Sequence, residues 1–351
     1  MFNLAIALQT YYFSSEIPTL VMETDEKALQ IKFYDALDQV LFETTFYAYN
    51  GTIEVTDLRE IIEEHMRSKD LQLFNVAFNI YDMAGSYVDD YGFWVIFSDR
   101  ILPMAPMNFV RNSFLTLRKS AIVPREYTYS IQCLLEPRES PDVYYYPVIR
   151  DAATGKTKAG KYGYGRLGQT STNCKVLTVG ITPRALAGSN NCAIEDVLSC
   201  TIKVGYRAFT IFYEDAAFMR CLSFKNCFNV WEDFFLRGVT TRKTEVDRQE
   251  AVCNGIVQFY DQRDKFTYEF QSTGLPAGEL RALEQLITSR EVKLNESPIL
   301  ITDHECEFHD DNAELNTIKF TFRYADDRQH IEQDELPSDS VFNDKYNHTF
   351  S

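Results

Sequence analysis

The densest run of side chains that could hold a metal or move a proton is Asp303-His304-Glu305-Cys306-Glu307-Phe308-His309-Asp310-Asp311. On a strand, alternation puts His304 and Cys306 on one face and Asp303, Glu305 and Glu307 on the other, so four ligands do not converge from this run alone. His304, Cys306 and His309 are weak metal candidates. A polar strand edge and turn, with Cys306 and Phe308 inward, explains the run without a metal. The EF-hand spacing, with its central Gly and terminal Glu, is absent. Gly155-Lys156-Thr157-Lys158-Ala159-Gly160-Lys161-Tyr162 falls one residue short of a P-loop: Tyr162 stands where a Ser or Thr hydroxyl should hold magnesium. Gly163-Tyr164-Gly165 follows where a helix should aim its amides at phosphate. Nucleophilic catalysis needs an activating base, and the histidines are few: His65, His304, His309, His330 and His348. There is no G-x-S-x-G elbow. A glycosidase pair could be drawn from any of the 51 carboxylates, which singles out none. The reading is a non-enzyme without cofactor or resident metal.

Aromatic side chains carry the remaining hint of function. Tyr144-Tyr145-Tyr146 and the pair Tyr162 and Tyr164 put rings on both faces of strands, so some rings point outward unless a subunit or a ligand covers them. Sugar stacking and protein interfaces both use such rings; Tyr144, Tyr145 and Tyr146 are the candidate glycan contacts. Beside them, Lys156, Lys158, Lys161 and Arg166 form a basic island in a Gly-rich stretch, 155–168, that reads as an extended hairpin or mobile loop. With Tyr162 and Tyr164 they are the interface candidates.

The elements that must position these residues are mostly strands. Period-2 alternation dominates, and 26 Phe, 21 Tyr and 2 Trp suit half-buried pleated surfaces. Strands are expected at 17–24, 28–35 and 39–49, with a turn at Asn50-Gly51. A helix follows over 57–68, capped by Asp57, with Leu58, Ile61, Ile62 and Met66 as its apolar stripe and Glu63 and Arg67 pairing outside. Strands return at 71–81 and 91–98. From 120 to 215 the pattern is strands and long loops without a helix: 127–131, 143–149, 175–181 and 201–213. The last third repeats the first one's order, with strands at 237–244, 254–261 and 265–271, a break at Gly274-Leu275-Pro276, and a helix over 277–289 burying Leu280, Leu283, Leu286 and Ile287. Strands at 291–295, 298–308 and 316–324 close it. The expected class is mainly β with two short amphipathic helices. Expected units are a sandwich or barrel over 1–118, a β-rich middle domain over 119–215, a second β unit over 216–325, and an acidic tail over 326–351. Two strand-helix-strand units around a β-only middle suggest an internal duplication.

Composition narrows the function classes. The 351 residues are 45 % apolar and 25 % charged, with 26 Gly and Pro together, which excludes collagen-like, low-complexity and wholly disordered chains. No stretch approaches the ~20 apolar residues of a membrane helix. A net charge of −16 repels a phosphate backbone, so nucleic acid is not an expected partner. Thirteen acids against four bases lie between 301 and 351, so −9 of that charge sits at the C-terminal end. Eight cysteines without a C-x-x-C pair read as reduced, mostly buried thiols. The apolar N-terminal run lacks a basic flank and a cleavage signature, so no signal peptide is expected. The N-x-S/T triplets at Asn50, Asn295 and Asn347 then read as chance matches.

Several strings in the last third carry a family resemblance: Phe224-Lys225-Asn226-Cys227-Phe228 with Trp231-Glu232, Gly238-Val239-Thr240-Thr241-Arg242-Lys243, Ile299-Leu300-Ile301-Thr302-Asp303-His304-Glu305-Cys306, and Lys319-Phe320-Thr321-Phe322-Arg323-Tyr324-Ala325. Gly51-Thr52-Ile53-Glu54-Val55-Thr56-Asp57-Leu58 is similar in style. Together they resemble tail-associated structural proteins, of tail, baseplate or hub type, encoded by Bacteroidetes phages and prophages. The resemblance covers 220–340 and, loosely, 40–80; the middle has no counterpart. It implies two tail-tube-like units and a virion component made in the host cytoplasm, assembling as a trimer or hexamer ring with other tail proteins. The alternative, from the aromatic residues, is a carbohydrate-binding β-sandwich module used in host or glycan recognition.

Overall fold

The computed structural model describes residues 2–5, 7–35, 39–215, 219–274, 277–307 and 317–326. It is mainly β, in several sheets.

The first unit holds β1 (Phe2–Leu4), β2 (Tyr11–Phe13), β3 (Leu20–Thr24), β4 (Ala28–Tyr34), β5 (Val40–Tyr47), β6 (Thr52–Val55), α1 (Leu58–Ser68), β7 (Leu73–Tyr81) and β8 (Tyr87–Ile96). Two sheets, β1-β3-β6 and β2-β8-β7-β4-β5, enclose one core with α1, which contributes Leu58, Ile62 and Met66. Asn50 and Gly51 both take positive φ and close the expected turn between β5 and β6. Three details of α1 differ from expectation. Asp57 makes no side-chain cap and accepts instead from the Thr56 hydroxyl at 3.2 Å. Ile61 lies exposed at the edge of the stripe. Glu63 pairs backward with Arg59 at 3.3 Å, because Arg67 is drawn to Asp99 at 3.6 Å and over the Phe97 ring.

The middle unit holds α2 (Pro106–Asn112), β9 (Ser120–Pro124), β10 (Tyr129–Leu135), β11 (Asp142–Arg150), β12 (Thr157–Ala159), β13 (Gly163–Arg166), β14 (Lys175–Ile181), α3 (Pro183–Asn190), β15 (Val197–Val204) and β16 (Arg207–Glu214). The β10-β14 pair packs against a six-stranded sheet in which β11, β15, β16 and β9 follow in order. Helices α2 and α3 correct the expectation of two helices, and α3 corrects that of a helix-free stretch from 120 to 215. Thr182-Pro183 starts α3 by known chemistry: the Thr182 hydroxyl accepts from the Ala185 amide at 3.3 Å and Pro183 stands at the first helical position. The stretch 201–213 is not one strand but parts of β15 and β16, turned at Gly205-Tyr206 with Gly205 at positive φ.

The last unit holds β17 (Met219–Lys225), β18 (Trp231–Cys253), β19 (Ile256–Ser272), α4 (Ala277–Thr288), β20 (Val292–Leu294), β21 (Ser297–Glu307) and β22 (Thr317–Tyr324). The strands close a barrel in the order β17-β18-β19-β22-β21-β20. Ile318, Phe320 and Phe322 alternate into it, and Leu283 and Leu286 of α4 join its core. The expected inward side chain Leu280 and, of the expected tail 326–351, all residues after Asp326 lie outside the described residues. The closed barrel and the two-sheet first unit have different strand orders. Their shared element order is therefore not a duplicated topology: it fixes which elements follow one another but not which strands pair.

A fourth core joins all three units. Phe13 and Ile96 of the first, Phe109 and Val110 of α2, Leu134 and Cys174 of the middle, and Cys227, Phe228 and Val230 of the last bury one another. Phe109 stacks on Phe228 at 4.8 Å and meets Phe13 edge-on at 5.7 Å.

Candidate functional site

Two surfaces stand out once the cores are accounted for. The first is a hairpin arm. Sequence patterning suggested separate strands at 237–244, 254–261 and 265–271, but 231–253 and 256–272 each form one continuous strand. Asn254 and Gly255, both at positive φ, make the two-residue turn that matches the twist of a hairpin. The strand expected to begin at 254 thus begins at the turn. β17 pairs with β18 no further than Arg237, and β22 pairs with β19 no nearer the tip than Tyr268. Beyond the Lys243 and Thr267 pair the two strands have only each other among the described residues. At 3.3 Å per residue, eleven residues from Lys243 to Cys253 carry the tip about 35 Å from the barrel. Near that tip Val252, Ile256, Val257, Phe259 and Tyr260 are exposed, Val252 at 72 % and Tyr260 at 66 %. Within 243–267 stand five acids and four bases, so the arm is nearly neutral on a chain of −16.

At the arm's base, Gly238 faces Ser272. A Cβ there would lie 2.3 Å from the Gln271 carbonyl oxygen and 2.5 Å from the Phe270 ring, so the crossing from barrel to arm needs a residue without a side chain.

The second surface is the outer face of β11, β13, β15 and β16. Alternation aims Tyr144, Tyr146 and Val148 outward and Val143, Pro147 and Ile149 inward. Tyr164 of β13 stands opposite Tyr144, their ring centroids 5.4 Å apart and tilted by 49°. Lys203 stands opposite Tyr144 on the other side, its ammonium 5.2 Å from the Tyr146 ring. Asp142 accepts from the Tyr164 hydroxyl at 2.9 Å and lies 3.9 Å from the Arg166 guanidinium. Hydrogen bonds from Ser140 and Tyr164 hold the Asp142 carboxyl below its ordinary pKa, and the same bond raises that of Tyr164.

The other sequence candidates scatter. Tyr145 points inward, half-buried against the middle core, so it does not share a face with Tyr144 and Tyr146. The stretch 155–168 is not a free loop: β12 and β13 both pair along the edge of β11. Its bases go separate ways, with Lys156 exposed at the turn, Lys158 paired to Asp151, and the Lys161 amide donating to Asn190 at 2.5 Å. Tyr162 is exposed between the two short strands. His304 lies exposed opposite Phe320, and Cys306 pairs opposite Ile318, with its side chain outside the described residues. His309 and Phe308 lie outside them too. Among the described residues no three His, Cys, Asp or Glu side chains group as a metal site. His65 packs on Phe74 at 4.8 Å, and burial lowers its pKa.

Sequence reading missed the buried polar clusters. Arg118 bonds Glu279 at 2.8 Å and Glu232 at 3.4 Å in nearly complete burial, with Thr116 and Asn226 also donating to Glu232. Arg207 fills all five donors with Glu139, in a bidentate pair, and the carbonyls of Val110, Leu134 and Val204. These clusters lie inside the joints between elements. The string Phe224 to Phe228 with Trp231-Glu232, one of those carrying the family resemblance, flanks such a joint: between its two parts Asn229 donates to the Met66 and Leu71 carbonyls of the first unit. A depression of about 550 Å³ is lined by two bases, Arg125 and Arg184, and three acids, Glu126, Glu195 and Asp215, with Arg125 tied to Asp215 at 3.0 Å.

No protein-family model matches this chain, and no curated protein matches it. Among solved structures, trypsin-activated alpha-2-macroglobulin of Escherichia coli is similar over 77 % of this chain and 22 % of that one, at 8 % identity and a TM-score of 0.21. A Salmonella alpha-2-macroglobulin mutant is similar over 77 % and 22 %, at 10 % identity and a TM-score of 0.22. The chain spans about a fifth of those proteins. At these scores the likeness does not bear on fold or function.

Proposed function

We propose that the protein is a non-enzymatic structural component of a phage tail or baseplate that assembles with copies of itself into a symmetric ring. The family resemblance suggests the setting. The observation that carries the assembly is the arm: a two-stranded ribbon is marginal in water by itself, and beyond the Lys243 and Thr267 pair this one has no strand on either edge among the described residues. A second arm laid along either edge would pair its backbone groups and cover Val252, Val257 and Phe259. Near-neutral charge along the arm lets copies approach despite the acidity of the whole chain. A head-to-tail contact, the β18 edge of one arm on the β19 edge of the next, makes a ring when its rotation closes, of three or six copies in the reading that the resemblance implies. Other virion proteins would stack on that ring.

Light scattering after size exclusion tests this. The wild type is expected at a discrete multiple of 40.6 kDa, and a Val257→Asp, Phe259→Asp double variant at 40.6 kDa with an unchanged β spectrum. A wild type that stays at 40.6 kDa at micromolar concentration, or an arm variant of undiminished mass, would overturn the proposal.

A further inference from the structure

We infer that the outer face of β11, β13 and β15 binds an acidic polysaccharide, a uronic-acid polymer, with Tyr144, Tyr146 and Tyr164 stacking on its sugar rings and Arg150, Arg166 and Lys203 meeting its carboxylates. The inference is independent of ring assembly, since these residues lie in the middle unit, away from the arm.

Three observations carry it. The rings are exposed on the outer face of the sheet, Tyr164 at 56 %. They are also held in place: Tyr144 and Tyr164 lean together in a shallow V, Asp142 anchors the Tyr164 hydroxyl, and Lys203 sits over Tyr146. Fixed rings lose little freedom when a ligand arrives. Lastly, the face runs against the charge of the molecule. On a chain of −16, its strand positions carry three cations, Arg150, Arg166 and Lys203, against the single carboxylate of Asp142. Cations among aromatic rings complement a ligand that is itself apolar on its ring faces and anionic at its rim.

Charge pairing also decides against a second protein copy as the occupant. A flat protein face laid here would strip water from Asp142, Arg166 and Lys203, and each would then need a matched partner. A hydrated sugar polymer supplies hydroxyls and carboxylates at the same spots and leaves the rest wet. Phe212 and Val148, exposed and opposite Ser199 from its two sides, extend the face along the sheet.

The test is native gel electrophoresis of the full chain through gels containing sodium alginate, neutral dextran or poly-L-glutamate. Alginate is expected to retard the wild type, dextran and polyglutamate much less. Tyr144→Ala and Tyr164→Ala should each weaken alginate binding about tenfold, as the loss of a stacked ring does. Lys203→Ala, which leaves the rings intact, should weaken it and flatten its salt dependence. The Phe259→Asp arm variant should bind alginate as the wild type does, which separates this site from assembly. Equal retardation by polyglutamate would show charge attraction alone and overturn the inference. So would alginate binding unchanged in both Tyr variants, no retardation at all, or a loss of oligomer mass on Tyr144→Ala.

Discussion

At the scale of single residues, the polar groups that matter most to this molecule are buried. Arg118 sits between Glu232 and Glu279, both buried, with its guanidinium 4.5 Å over the Phe234 ring. Truncating it leaves two carboxylates without a cation, a situation that costs about 3–5 kcal/mol. Arg118→Ala should therefore lower the urea midpoint sharply. Glu279→Gln should be far milder, because the site is one negative charge in excess and burial already pushes the Glu279 carboxyl toward its neutral form. The two midpoints, measured side by side, check that ordering. None of this was legible beforehand. Arg118, Glu232 and Glu279 are far apart in sequence, no local spacing marks them, and an isolated Arg or Glu reads as surface by default. The tyrosines were better announced. Strand alternation separates Tyr145 from Tyr144 and Tyr146, and with the reading frame of β11 in hand the glycan candidates reduce to the two that point outward.

Among elements, sequence reading succeeded where a single period ran unbroken and failed where a break decided the outcome. β22, with Ile318, Phe320 and Phe322 inward, and α1, with Leu58, Ile62 and Met66 inward, follow their periods. α3 is one short turn-rich helix of eight residues, too brief for a stripe; its signal is the Thr182-Pro183 start. The arm was divided because its strands alternate weakly: with neither face buried, nothing selects apolar residues at every second position. Its turn is nonetheless written in Asn254-Gly255, the same dipeptide that turns the chain at Asn50-Gly51. The arm's base is the place where one side chain would break the element. Gly238→Ala should shift the Gln271 backbone or the Phe270 ring, at a cost of about 1–3 kcal/mol, visible as a lower melting temperature. A Gly255→Ala change at the exposed tip should cost about 1 kcal/mol through its positive φ alone and spare the barrel.

For the whole molecule, one thiol reports on assembly. Among the described residues Cys253 is the exposed cysteine, one residue from the arm's turn, while the others are buried or half-buried. If arms pair side by side, maleimide should label Cys253 quickly in the Phe259→Asp variant and slowly in the assembled wild type. Equal rates would place the tips in open solvent. The junction of the three units has a consequence of a different kind, one of timing. Phe13 and Ile96 are buried against Phe228 and Val230, so the first unit cannot finish its own surface. On a ribosome adding about 5–20 residues per second, the gap from Ile96, which ends the last strand of the first unit, to Phe228 lasts roughly 7–26 seconds. For that interval the nascent N-terminal unit displays a bare aromatic patch, and whatever shields it during synthesis acts before the chain is complete.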